Sequence, residues 1–174
     1  MHDTARTANL LGATALAVSD AFLAGATGAA GTSASGAAAL VVLDASPGLS
    51  VTELGRRVGL SQSAAARMVD ALEAARLAER RPAVGRWVTV QLTPEGTRAV
   101  RQLLAARRAP ITELISALDD AEQDTLAGLL AKLLTRIYGE VGDNELICRL
   151  CDRASCTAHA VCPVGAAERA SRER

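Results

Sequence analysis

Every cysteine in this 174-residue chain falls within fifteen residues near its end: Cys148, Cys151, Cys156 and Cys162, followed at once by Pro163. The spacing is C-x2-C-x4-C-x5-C-P. Cysteines that merely fill a core scatter along a sequence, so four soft donors gathered in one short segment point to chemistry. Four thiolates can close a tetrahedral zinc site or hold an iron–sulfur cluster. A third use is reversible disulfide formation, for example Cys148 with Cys151, which would sense oxidants directly. The N-terminus lacks the basic start and apolar core of a signal peptide, so a reducing, cytoplasmic setting is expected, where metal or redox chemistry outranks stable disulfides. His159 lies inside the loop as a potential substitute donor, although a plain surface histidine is the simpler reading.

Nothing else in the chain gathers catalytic groups. There are only two histidines, His2 and His159, and no His/carboxylate constellation. Four cysteines on one metal leave no open coordination position. An enzyme is therefore not expected. Charge is the second informative feature. Lys+Arg and Asp+Glu number 19 each, which says nothing as a total. The distribution says more: residues 51–110 hold eleven arginines against five acids, and the remainder holds eight bases against fourteen acids. A basic centre on a neutral chain is the footprint of a nucleic-acid reader.

That centre has a pattern. Val51, Leu54 and Val58 recur at helical spacing, with Thr52 as a cap. Gly59 follows where a chain leaving a helix needs positive φ, and Leu60 packs under the turn. Ser61 then caps a second helix with Met68, Val69, Leu72 and Leu77 on one side and Gln62, Ser63 and Arg67 on the other. Ser and Gln can hydrogen-bond base edges, and Arg can fork onto guanine or phosphate. Downstream, Trp87, Val88, Val90 and Leu92 are strand formers, and Pro82-Ala-Val-Gly-Arg86 forms a hairpin tip. Arg80 and Arg86 of this hairpin could reach a phosphate or a minor groove. The candidate DNA contacts are thus Ser61, Gln62, Ser63, Arg67, Arg80 and Arg86.

Helix, Gly turn, polar-faced helix and basic hairpin in this order resemble the winged helix-turn-helix of the MarR family of transcriptional regulators. The resemblance extends through Leu92-Thr-Pro-Glu-Gly96, similar to the family's wing exit, and Leu118–Leu134, similar to its last helix. It spans roughly residues 8–140 and leaves out the tail. In one respect the chain departs from the family: Val84 stands where the wing carries an Asp two residues before the tip Arg, so Arg86 lacks an orienting acid. The resemblance implies a mainly α fold with a small β-wing, a MarR-like homodimer, and double-stranded palindromic DNA as partner, with the protein acting as a repressor. It also implies an alternative, gating by a small hydrophobic or phenolic effector; the cysteines would then hold a purely structural zinc.

The remaining elements fit that plan. Residues 1–36 comprise a dimerisation helix over 3–24, apolar on more than one side, and a Gly/Ala/Ser/Thr linker from Gly25 to Gly36. Residues 37–93 are the DNA-binding domain, opened by a short buried helix from Ala37 to Asp44. Residues 94–142 are dimerisation helices: Thr93 and Pro94 open one, which Pro110 should kink or break, with Arg101, Arg107 and Arg108 on its polar side. Asp119 or Asp120 caps the last, which carries Leu126, Leu129, Leu130, Leu133, Leu134 and Ile137. No apolar run reaches the length of a membrane span on this reading, and no membrane partner is expected. Residues 143–174 are the cysteine-rich tail. Its Cys-Pro closure resembles ferredoxin cluster loops and the cysteine loop of MerR-type sensors, whereas the glycines and aromatics of a zinc knuckle are missing. An iron–sulfur cluster is accordingly slightly preferred to zinc on Cys148, Cys151, Cys156 and Cys162.

Overall fold

The computed structural model describes residues 3–82 and 88–173. Its first helix, α1 (Thr4–Ala30), starts at Asp3, whose side chain accepts the Arg6 N–H, and ends at Gly31 in the left-handed region. It overruns the expected linker, which shrinks to residues 31–33. The reason is visible at Gly25. A β-carbon there would stand 2.8 Å from the Ala106 carbonyl oxygen, so this glycine lets two helices touch rather than loosening the chain. As extended, α1 is long and apolar enough to cross a membrane by length and composition, with a mean hydropathy of 1.5. That corrects the expectation of no such run. In the fold α1 lies along α5.

Next comes α2 (Ala34–Ala45), capped by Ser33 and buried without interruption from Gly36 to Leu43. A helix apolar all round belongs in the centre of a domain, and α2 meets α1, α3, α4, α5 and β2. The helix-turn-helix follows as α3 (Val51–Arg57) and α4 (Gln62–Ala74). The cap of α3 is Ser50, not Thr52: the Ser50 hydroxyl accepts the Glu53 N–H at 3.1 Å. Gly59 has φ +74°, as the turn requires. Leu54, Val69 and Leu72 face the core with Leu40 and Leu43 of α2. Leu77 packs there too, but from beyond the end of α4.

The wing pairs β1 (Ala78–Pro82) with β2 (Val88–Leu92), antiparallel, from Ala78 opposite Leu92 to Pro82 opposite Val88. Pro82 therefore ends a strand instead of belonging to the tip, as an edge position permits. Trp87 and the rest of the tip, Arg86 included, lie outside the described residues. A bridge from Leu49 to Val90 joins the wing to the segment before α3.

Thr93 then opens α5 (Pro94–Ile115), accepting the Gly96 N–H at 3.0 Å while its hydroxyl donates to the Arg76 carbonyl at 2.6 Å. Pro110 does not break this helix, which runs on to Ile115. Nor does Arg107 lie on its polar side: it is buried, with its guanidinium 4.8 Å from the centre of the Phe22 ring on α1. The long α6 (Asp120–Val141) begins with a capping box of Asp119 and Glu122 and buries no residue at all. Three short helices complete the chain: α7 (Asn144–Ile147), α8 (Arg153–Thr157) and α9 (Pro163–Arg172). They fold back on the same chain, α7 against α3 and α9 against α6.

Candidate functional site

Two places gather the predicted residues. The first is the start of α4. Ser61, Gln62, Ser63 and Arg67 lie along its outer side, while Ala65, Met68, Val69 and Leu72 of the same helix are buried. The 3.6-residue period thus separates a polar, outward face from the face that anchors it. Ser61 does double duty, because its hydroxyl accepts the Ala64 N–H at 3.4 Å. The close crossing of α3 and α4 depends on Gly55, where a β-carbon would stand 2.5 Å from Cβ of Ala65.

Arg80 sits differently. On β1 it pairs with Glu73 and, at 2.8 Å, with Asp70, so it ties the wing to α4. Burial works against its charge, but the two carboxylates outweigh burial and raise its pKa. Among the described residues Arg67 enters no such pair, and its guanidinium remains available on the outward face. On α3, Glu53 accepts from Arg56 at 2.9 Å and from Arg57 at 2.8 Å. Hydrogen bonds from Arg56 first and Arg57 second hold the Glu53 carboxyl down at about 2.

The second place is the tail. All four cysteines are free thiols. Cys148, Cys151, Cys156 and Cys162 line one cavity of about 170 Å³, together with Asn144, Arg153 and Val164. No three His, Cys, Asp or Glu side chains among the described residues are drawn in around the position of a single ion. The thiols instead share the wall of one cavity. Folding alone, through α7, α8 and α9, brings them there across fourteen positions of sequence. Cys148 caps the end of α7, and Cys162 caps the start of α9, its sulfur accepting the Gly165 N–H at 3.4 Å.

Burial disfavours the anionic forms of Cys148, Cys151 and Cys156. Burial, then the neighbouring Cys162, pushes Cys148 up to about 11. Burial, then Cys156, pushes Cys151 up to about 12, and burial also raises Cys156. A cation among them would reverse this balance, because metal-bound thiols are deprotonated. His159 is exposed and takes no part in the cavity wall.

Sequence reasoning missed two features. One is Arg107, whose buried Nε has no hydrogen-bond partner among the described residues and which lies near Cys151 and Asp152. The other is the set of ion pairs that fastens the tail. Arg56 reaches Asp143 at 3.0 Å, Arg57 reaches Glu145 at 3.5 Å, and Arg108 pairs with Asp152. No local spacing could have shown partners 87 and 44 residues apart.

A buried central helix, a helix-turn-helix with an exposed second helix and a two-stranded wing define the winged helix-turn-helix class. Residues 31–86 match the model of the MarR family. The reading head thus resembles that of the MarR family, and the chain as a whole has a winged helix-turn-helix fold. Among solved structures, Rv1404 of Mycobacterium tuberculosis is 23% identical, with a TM-score of 0.67 over 76% of this chain and 93% of its own. YusO of Bacillus subtilis is 26% identical, with a TM-score of 0.66 over 76% and 96%. A point mutant of MepR from S. aureus, bound to an oligodeoxyribonucleotide, shares the fold at 16% identity, with a TM-score of 0.59 over 75% and 97%. No curated protein matches the chain by sequence.

Proposed function

We infer that this protein is a cytoplasmic transcription regulator that binds palindromic double-stranded DNA as a homodimer and acts as a repressor, and that a metal or iron–sulfur group on Cys148, Cys151, Cys156 and Cys162 modulates its hold on DNA. MarR-family proteins are transcription regulators and not enzymes. The observation that carries the reading is the outward face of α4, with Ser61, Gln62, Ser63 and Arg67 at the head of a helix whose other face is locked in the core. Placed in a major groove, Gln62 and the serines meet base edges, and Arg67 meets guanine or phosphate. A neighbour of the same fold, MepR, is bound to an oligodeoxyribonucleotide.

The dimer is supported by what α1 and α6 leave uncovered. Leu10, Leu11 and Leu16 on α1 and Leu129, Leu130, Leu133 and Ile137 on α6 are all exposed. So much apolar surface on two long helices calls for a partner, and two-fold symmetry would set the reading helices about 34 Å apart. For the tail, four thiols on the wall of one cavity of about 170 Å³ are a donor set for an iron–sulfur group. The Gly165 N–H on Cys162 and Arg153 on the wall are the kind of partners that tune such a group. When bound, it would supply an oxidisable centre.

Two experiments test this. Selection of duplexes from a random pool by the full-length protein should enrich a palindrome with half-sites one helical turn apart; an unenriched pool removes the DNA reading. Anaerobic purification with iron, sulfide and zinc analysis and a visible spectrum should give a coloured, iron-containing protein. A colourless chain with one zinc supports a structural clip, and metal-free thiols leave the disulfide switch.

A second reading has one observation in its favour. A cavity of about 630 Å³ lies between α1, α5, α6 and the tail, lined by Val18, Phe22, Ile111 and Ile115 and by the buried Arg107. Apolar walls with one buried cation suit a small aromatic acid.

A further inference from the structure

We propose that the four-cysteine tail is a same-chain latch on the turn of the helix-turn-helix, so that filling the cysteine site orders that turn and strengthens the hold on DNA. This rests on the reading of the four cysteines as a metal or cluster site and specifies how that site would act. The link is α7. Its four residues run directly into the first ligand: Cys148 caps α7 and donates its N–H to the Asn144 carbonyl at 2.9 Å, and Cys151 donates to the Cys148 carbonyl at 2.8 Å. A helix this short does not hold itself together.

Its other side lies on the reading head. Cδ1 of Leu146 comes within 3.0 Å of where a β-carbon on Gly59 would stand. Gly59 is the left-handed residue of the turn, donating to the Arg56 carbonyl at 3.2 Å, and Leu60 donates to the Gly55 carbonyl at 2.8 Å. This turn sets the angle between α3 and α4. Around it, Asp143 accepts from Arg56 at 3.0 Å, and Glu145 stands between Arg57 at 3.5 Å and Arg153 at 2.6 Å. Arg153 is itself a wall of the cysteine cavity, as is Asn144, which donates to Glu168 of α9. A continuous set of contacts therefore runs from the cavity to the turn without passing through the arms.

Partly exposed ion pairs of this kind contribute little by themselves. Bound metal, by contrast, couples strongly to the folding of its ligand loop. With the site filled, Cys148 is fixed and α7 is held on Gly59. With the site empty, its hold on the turn rests on Leu146 and weak ion pairs, and the turn opens more often.

The test uses the full-length protein, loaded with iron and sulfide or with zinc, and stripped by chelator under reducing conditions. Amide hydrogen exchange at Gly59 and Leu60 should quicken on stripping, and affinity for the selected duplex should fall about tenfold, within the usual range of coupling between two sites. Leu146→Ala should show fast exchange and weak binding already in the loaded state, with metal content unchanged; Glu145→Gln should move the same way by less. The latch is overturned if Gly59 and Leu60 exchange equally in both forms, or if Leu146→Ala keeps the wild-type dependence on loading. A wild-type chain that takes up no metal removes the cysteine-site reading and the latch with it, whereas metal uptake with an indifferent turn removes the latch alone.

Discussion

Gly55 of α3 and Ala65 of α4 meet where the two helices of the reading head cross: a β-carbon on Gly55 would stand 2.5 Å from Cβ of Ala65. Neither side is flexible, and Ala65 is fully buried. Gly55→Ala must push α4 outward and should destabilise the fold by about 1–3 kcal/mol. Thermal unfolding of wild type and variant side by side measures it; equal midpoints would mean that the crossing has slack.

On the outward face of α4, Arg67→Ala removes a guanidinium that no described carboxylate engages. Affinity for the selected duplex should drop by about 1–3 kcal/mol, as for loss of one base or phosphate contact. The far-ultraviolet circular dichroism should not change. Unaltered binding takes Arg67 off the reading surface.

The Glu53 carboxyl, held at about 2 by Arg56 and Arg57 against an ordinary 4.5, ties stability to pH. A depressed folded-state pKa contributes stability that is fully present above the unfolded value and is lost as pH falls through the folded one. The advantage of wild type over Glu53→Gln should therefore be level from neutral pH to about 4.5 and fade towards about 2. It is a small advantage, because the side chain is partly in solvent and the pairs are screened. Denaturant midpoints across that range decide it, and a difference that persists undiminished at the acid end counts against the pairing.

Leu133 of α6 is 42% exposed, in line with Leu129, Leu130 and Ile137. Placing a charge in the proposed two-fold contact, as in Leu133→Asp, should yield monomers by sedimentation and cost most of the DNA affinity, while the reading head, which α6 does not support, keeps its fold. A variant that sediments like wild type places the dimer contact elsewhere.

The parts of the fold set by local rules were legible in the sequence. Ser61 and Thr93 as caps, Gly59 at positive φ and the two faces of α4 follow from one turn of helix and its neighbours. Most misreadings involve tertiary contact. Gly25 looked like a linker because a glycine that lets two helices touch has the same letter as one that ends them. Arg107 looked like surface because the single phenylalanine that covers it lies on another helix. Thr52 is a local miss: it lost its cap to Ser50, two positions away and chemically equivalent. For the site, the spacing of the cysteines suggested a common ligand, and folding sets all four on the wall of one cavity. What sequence could not give was the docking of α7 on Gly59, since the ion pair that helps fix it joins residues 87 positions apart.

Most helices in this chain begin at an oxygen; α9 begins at a sulfur. Cys162 accepts the Gly165 N–H in the place where Ser, Thr or Asp would ordinarily sit. Sulfur is a feeble acceptor while it carries its proton and a far better one as a thiolate. Any ion that strips the proton from Cys162 would thereby firm up ten residues of helix lying against α6. Inorganic chemistry at one atom would then be felt in the arm as a change of secondary-structure stability, a lever independent of the ligand's size or shape.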